Sequence, residues 1–440
     1  MNDDQGAERV EALSLDMSQV SRIIQLSPKV FEEMDNLRLL RFYFKDADWY
    51  KNPTKLHLPQ QGLEYLPNTL RLLDWERYPS PSLPLNFCPE NMVYLKMPGS
   101  SLTQLWEGDK VHLVNLKVCD IRRSEELIQI MDLSGVPNLE ELDLEGCRSL
   151  VEIPSSIQLC RKLTKISVSG CVNLCGFPSD LRLTSLEEVA LEECPRITQL
   201  PELPSTVKTL SIYSSGIKQV TAASIGHLTR LKVLYVGEIV ESLPCEIGFL
   251  NCLQELSIWG GGPKVISIPD TICNLTGLVW LRCHSCKNLE SLPNGIGRLK
   301  RLKSLDMEGC SKITSLPSDI GGLTSLEYLD LTGCCITSLP ESICDLESLK
   351  YLSLQGCVNL QGLPDILPPL VSLRKLDLSG TSIEYLGSEA IERLSHLRWL
   401  DVRDCKRLRC IQHLPPRLMK LDATNCTSLT SVSSSAIATI

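Results

Sequence analysis

"LEELDLEGCRSL" (139–150), "LKSLDMEGCSKI" (302–313), "LKYLSLQGCVNL" (349–360) and "LRWLDVRDCKRL" (397–408) come from distant parts of one chain of 440 residues. All four fit one template, L-x-x-L-x-L-x-x-C-x-x-L. Looser copies fill the chain. Their first residues fall at Val10, Leu37, Leu70, Met92, Leu116, Leu139, Leu163, Leu186, Val207, Leu231, Leu253, Leu278, Leu302, Leu326, Leu349, Leu373, Leu397 and Leu418. A fixed period of this length is the mark of stacked repeats and takes precedence over any single motif.

The L-x-L segment alternates with period two and is too short for a helix, so it predicts a strand with leucines inward. One turn cannot bury its own leucines, but its neighbours can. Each buried leucine contributes about 1.5–3 kcal/mol. The other half of each turn reads "LPSDIGGLTSL", "LPESICDLESL" or "LPNGIGRLKRL". Leu-Pro sets an extended stretch, and I-x-x-L-x-x-L is too short for a free helix. It predicts a helical turn or 3₁₀ piece. Two longer helices are expected, from Ser27-Pro28 to about Asn36 and from Ser388 to about Leu394. The Pro-rich stretches 201–204, 364–369 and 415–416 should be extended.

"LRCHSCKNL" (281–289) resembles half a zinc site or a thiol redox motif. The register explains it otherwise. Cys283 takes a leucine position, and Cys286 takes the eighth position after the start. Cys147, Cys171, Cys194, Cys310, Cys334, Cys357, Cys405 and Cys426 share that position. A buried thiol there fills space and donates weakly to turn carbonyls. His284 should face solvent, away from both sulfurs. All these thiols are expected to be free, and no metal or cofactor is expected.

Composition agrees. Hydrophobic residues make up 43% and charged residues 22%, as in a globular chain. The net charge of −9 argues against a nucleic-acid role. There is no run of 18 apolar residues, so no membrane span is expected. "MNDDQGAERV" (1–10) has no signal-peptide pattern. Twenty cysteines with only two glycosylation sequons, at Asn274 and Asn425, suit a reducing compartment. "IWGGGPKV" (258–265) lacks the G-K-[ST] and helix start of a phosphate cradle.

Two columns of the expected sheet stand out. Two residues after each start come Tyr94, Trp280, Tyr328, Tyr351 and Trp399, with Arg282, Lys375, Arg398 and Arg403 nearby. Aromatics are otherwise sparse here, and Trp and Tyr are favoured at interface hot spots. These residues are the candidate protein-binding set; the competing reading is that the rings only cover their neighbours. Trp49 and Tyr50, in the loop "FKDADWYKNPTK" (44–55), are candidate loop contacts. Four residues after each start runs Asp120, Asp143, Asp306, Asp330, Asp377, Asp401 and Asp422. Stacked carboxylates repel, and such a column would favour a basic partner.

Beyond the generic repeat, "FEEMDNLRLLRFY" (31–43) and "LHLPQQGLEYLPNTLRLLDWERYPSPSLPLNFCPENMVYLKMPGSSLTQLWEG" (56–108) resemble the repeat region of plant TIR–nucleotide-binding–LRR immune receptors. Trp75, Tyr78, Pro79, Asn86, Phe87, Pro89, Glu90 and Leu105-Trp106-Glu107-Gly108 carry that likeness. It implies an α/β fold, a right-handed leucine-rich-repeat solenoid (horseshoe or superhelix). Its parallel sheet would line the concave face, with helical, 3₁₀ or extended segments on the convex face. Expected divisions are a lead-in (1–9), irregular repeats (10–115), regular repeats (116–430) and a polar tail (431–440). The TIR, nucleotide-binding and C-terminal jelly-roll/Ig-like domains of the family have no counterpart in the sequence, so neither NAD cleavage nor nucleotide switching is expected of it.

The resemblance implies a non-catalytic, cytoplasmic or nucleo-cytoplasmic recognition module. Its partners would be a pathogen effector or host protein and a nucleotide-binding receptor, without nucleic acid or membrane. The rival readings are a free-standing adaptor, a thiol or metal enzyme, and a secreted ectodomain.

Overall fold

The computed structural model describes residues 7–45, 55–59, 61–106, 112–181, 183–237, 242–260, 267–363, 370–386, 389–412 and 414–433. The chain divides into two compact units, Met1–Ile217 and Lys218–Ile440. Each is a parallel-strand solenoid.

A strand begins two residues after every expected start, from Ala12–Asp16 in the first unit to Lys420–Asp422 in the second. Within the second unit the register is unbroken. Glu255 pairs with Trp280, then Ser304, Tyr328, Tyr351, Lys375, Trp399 and Lys420 follow in line. Inward positions are sealed: Leu302, Leu305, Met307, Leu326, Leu329 and Leu331 have no solvent exposure. Cys283 is equally buried, in a leucine's place.

The far side of each coil is built as the Leu-Pro pattern predicts. Pro154, Pro244, Pro269 and Pro340 are extended, and each precedes a 3₁₀ turn: Ser155–Leu159, Cys245–Phe249, Asp270–Asn274 and Glu341–Asp345. The isoleucine of each (Ile157, Ile247, Ile272, Ile343) is fully buried. Neighbouring coils, rather than helix propensity, hold these short pieces in place.

The expected helix at 27–36 is absent as a continuous element. Three overlapping turns replace it, closed by Val30 to Ser27, Glu32 to Lys29 and Met34 to Phe31 bonds of 3.2, 2.9 and 3.0 Å. Phe31 is drawn into the core instead and meets Trp75 edge-on at 6.2 Å. The second expected helix survives only as Glu389–Glu392, and Ser388 lies outside the described residues. Ser431–Ser433, read from sequence as tail, forms a strand in a second small sheet with Cys410–Gln412 and Tyr385–Leu386.

Phe31, Phe42, Trp75, Tyr78, Phe87 and Trp106 of the family-like blocks are core. Trp75 packs on Phe42 at 4.5 Å and on Tyr78 at 5.0 Å, and Trp106 donates its Nε1 hydrogen to the Phe87 carbonyl at 2.8 Å.

Candidate functional site

Three rows of the repeat build the sheet surface. The first is the sulfur row, which lies beneath it. Every member donates to the carbonyl five residues after the start of the preceding turn. Cys147 reaches Ile121 at 3.3 Å, Cys171 reaches Leu144 at 3.2 Å, and Cys194 reaches Val168 at 3.1 Å. In the second unit Cys286, Cys310, Cys334, Cys357, Cys405 and Cys426 do the same to Ile258, Cys283, Met307, Leu331, Leu378 and Val402, at 2.9–3.7 Å. All twenty cysteines are free. Burial pushes the Cys147, Cys194 and Cys357 thiols up to about 12. Little thiolate, the reactive form, exists there at neutral pH.

The residue before the sulfur is left-handed: Gly146, Gly170, Gly309, Gly333 and Gly356 have φ of 70° to 76°. This explains the recurring Gly-Cys pair. The chain turns inward at that point, and glycine adopts φ > 0 without strain.

The second row is the aspartate row, and its purpose is local. Asp120, Asp143, Asp306, Asp330, Asp377, Asp401 and Asp422 each accept the backbone N–H two residues on, at 2.9–3.3 Å. One carboxylate oxygen per residue thus closes the turn at the strand's end. Arg403 clamps the last pair, with Nε 3.0 Å from both Asp401 oxygens and 3.9 Å from Asp422. Arg282 pairs with Glu255. These two arginines, read from sequence as partner contacts, are engaged within the chain.

The third row, two residues after each start, carries the candidate site. In five consecutive strands of the second unit Tyr328, Tyr351, Lys375, Trp399 and Lys420 lie in register. Tyr328 stacks on Tyr351 with ring centres 4.5 Å apart and planes 5° from parallel. The Lys375 ammonium lies 5.0 Å from the Tyr351 ring centre and 3.8 Å from that of Trp399. Lys420 covers the next stretch of Trp399 at 4.5 Å. Tyr328 Oη donates to Asp330 Oδ2 at 2.7 Å, and burial followed by this bond pushes its phenol up, so it stays a donor. Such stacks are worth about 0.5–1.5 kcal/mol per aromatic pair and about 0.5–2 per cation–ring contact. Trp399 Nε1 is covered and has no acceptor among the described residues.

Other candidates fall elsewhere. Trp280 is 38% exposed, one strand beyond Ser304, and touches none of this ladder. Tyr94, 40% exposed, sits in the first unit beside Leu72 and Val118. Arg398 is exposed just before the strand Trp399–Asp401. Trp49 and Tyr50 lie outside the described residues. Lys420 was missed from sequence, although it occupies the same row as the aromatics.

Among the described residues no helix is long and apolar enough to cross a membrane. Residues 207–312 and 302–378 match the family described as leucine-rich repeat region, and 93–110 and 138–160 match leucine-rich repeats. Disease resistance protein RPP2A of Arabidopsis thaliana is 38% identical over 252 residues, covering 56% of this chain and 19% of RPP2A. Disease resistance protein RPS6, from the same plant, is 36% identical over 288 residues, covering 65% of this chain and 25% of RPS6. The chain thus spans about a fifth to a quarter of these relatives' length. In fold it is similar to a solved leucine-rich-repeat protein of Leptospira interrogans, with a TM-score of 0.50 and 22% identity over 79% of this chain and 91% of that one. The plant peptide hormone receptor RGFR1, solved in complex with RGF2, also scores 0.50, at 17% identity over 83% and 74%.

Proposed function

Since this is a leucine-rich-repeat chain homologous to plant TIR–nucleotide-binding–LRR disease-resistance proteins, we propose that it is a non-catalytic recognition module of an immune-receptor-like protein. It binds a protein ligand, a pathogen effector or the host protein an effector targets, and contributes to holding a nucleotide-binding receptor inactive. Its place of action is the cytoplasm or nucleo-cytoplasm. The observation that carries this reading is the unbroken ladder Tyr328–Tyr351–Lys375–Trp399–Lys420. Half-exposed aromatics braced by lysines, on a rigid sheet, present broad contact area at small entropic cost, as hot spots do.

Proximity labelling in plant cells tests it, comparing the wild-type chain with a Tyr351→Ala/Lys375→Ala/Trp399→Ala variant. The expected result is loss of an effector or a nucleotide-binding receptor from the labelled set. An unchanged set sinks the ladder as the binding site. A constant set of host partners, with neither effector nor receptor, favours a free-standing adaptor.

A further inference from the structure

One cluster outside the ladder is left unused by this reading. Trp259, His284 and Glu308 hold the same position, six residues after the start, in three consecutive turns of the second unit. Asp306 lies two residues before Glu308, paired in register with Arg282. His284 Nδ1 and Glu308 Oε2 are 3.4 Å apart, and one ligand atom each from His284, Asp306 and Glu308 lie within 4.8 Å of one another. Among the described residues no other group of three or more His, Cys, Asp or Glu meets that spacing.

The three side chains are held from behind. The His284 ring packs on Trp259 at 5.0 Å. Asp306 Oδ1 is fixed by the Glu308 N–H at 3.0 Å. The neighbouring cation, Arg282, is drawn to Glu255 on the opposite side. Asp306 therefore has no ion pair among the described residues, unlike Asp120 or Asp401, each of which has its own arginine. Two carboxylates and one imidazole face each other with no basic side chain between them.

We propose that His284, Asp306 and Glu308 bind one divalent first-row transition-metal ion. One nitrogen and two oxygen donors suit the manganese-to-zinc series rather than a soft thiolate-seeking ion. An ion held tetrahedrally at about 2.1 Å from each donor needs ligand atoms about 3.4 Å apart, as His284 and Glu308 already are, so the set closes with a side-chain shift of up to about 1.4 Å. Three protein ligands leave coordination positions open to water or to an acidic group of a partner. The sulfurs take no part: Cys283 and Cys286 are buried under the sheet, and Cys286 donates to the Ile258 carbonyl.

Titration of the full chain with Co²⁺ in a non-chelating phosphine reductant tests this, read by calorimetry and visible absorption. The expected result is one equivalent bound without a thiolate-to-cobalt charge-transfer band. His284→Ala and Glu308→Gln should each weaken binding at least tenfold, since even outer-shell losses at metal sites cost about 10–100-fold. Asp143→Asn, at the same turn position as Asp306 but without an imidazole, should leave binding unchanged. Equal melting temperatures of the metal-free variants show that they fold. Absence of binding at millimolar Co²⁺, a thiolate band, or equal affinity in the His284 and Glu308 variants overturns the proposal.

Discussion

Cys357 is the sharpest probe of how the turns hold together. Its side chain has no exposure, and Sγ lies 3.2 Å from the Leu331 carbonyl. That oxygen also receives the Cys334 N–H at 3.0 Å, so losing the thiol does not orphan it. Alanine removes one buried sulfur, worth at least a methylene at about 0.8 kcal/mol, and leaves a small cavity. It also removes a hydrogen bond of about 1 kcal/mol. The sum is about 2 kcal/mol. Serine keeps the donor; the fully buried Ser124 fills the equivalent position, its Oγ 3.3 Å from the Met97 carbonyl. Its cost is therefore lost volume, about 1 kcal/mol. Aspartate places a carboxylate against a carbonyl with no cation and costs about 3 kcal/mol or more. Urea unfolding followed by circular dichroism, under reducing conditions, measures all three. The expected order of destabilisation is serine, alanine, aspartate, with unchanged m-values. Alanine as stable as serine would refute the donor role, and an aspartate variant of wild-type stability would refute burial.

Three further outcomes follow from the same geometry. Burial, with Asp143 adding and Arg122 opposing, raises the Asp120 carboxyl to about 6. The folded chain then holds this proton more tightly than the unfolded chain, so Asp120's contribution to stability is lost as pH rises from about 4 through 6. Asp120→Asn keeps the turn acceptor and should stabilise the chain by about 2 kcal/mol at pH 7 and not at all near pH 4, checked by melts across that range. Gly333, at φ +71°, should lose about 1 kcal/mol on Gly333→Ala and less on Gly333→Asn, since Asn425 adopts φ +62° at the equivalent position; denaturant midpoints decide. Trp75→Ala should cost about 3–5 kcal/mol by emptying the cluster with Phe31, Phe42 and Tyr78, measured the same way.

The strands were legible because their signal repeats. A leucine spacing seen once is ambiguous between helix and strand, but recurring copies fix where each strand starts. The sulfur row was legible for the same reason. The aspartate row was seen, but not its local purpose. Spacing alone cannot show that an Asp side chain turns back to the N–H two residues on. Ser27–Asn36 carries a helix's start signals, yet Phe31 gains more by packing against Trp75 than a short helix gains by closing its bonds. The aromatic row was half legible. Aromatic residues stood out by rarity, whereas Lys420, a common surface residue, becomes notable only once it lies over Trp399. The His284–Asp306–Glu308 cluster was illegible because His284 and Glu308 are distant in sequence and meet only across adjacent turns.

The claim beneath all of this is that consecutive coils seal one another's interiors. Residue-resolved thiol labelling of the native chain, read by mass spectrometry against the urea-unfolded chain, tests it most directly. Cys88, Cys175, Cys245 and Cys252 are exposed and should label first. Cys147, Cys171, Cys194, Cys286, Cys310, Cys334, Cys357 and Cys405 should stay unmodified until unfolding, with Cys426, half-buried in the last turn, between the two groups. Rapid native labelling of those eight, at the rate of the exposed four, would contradict the account.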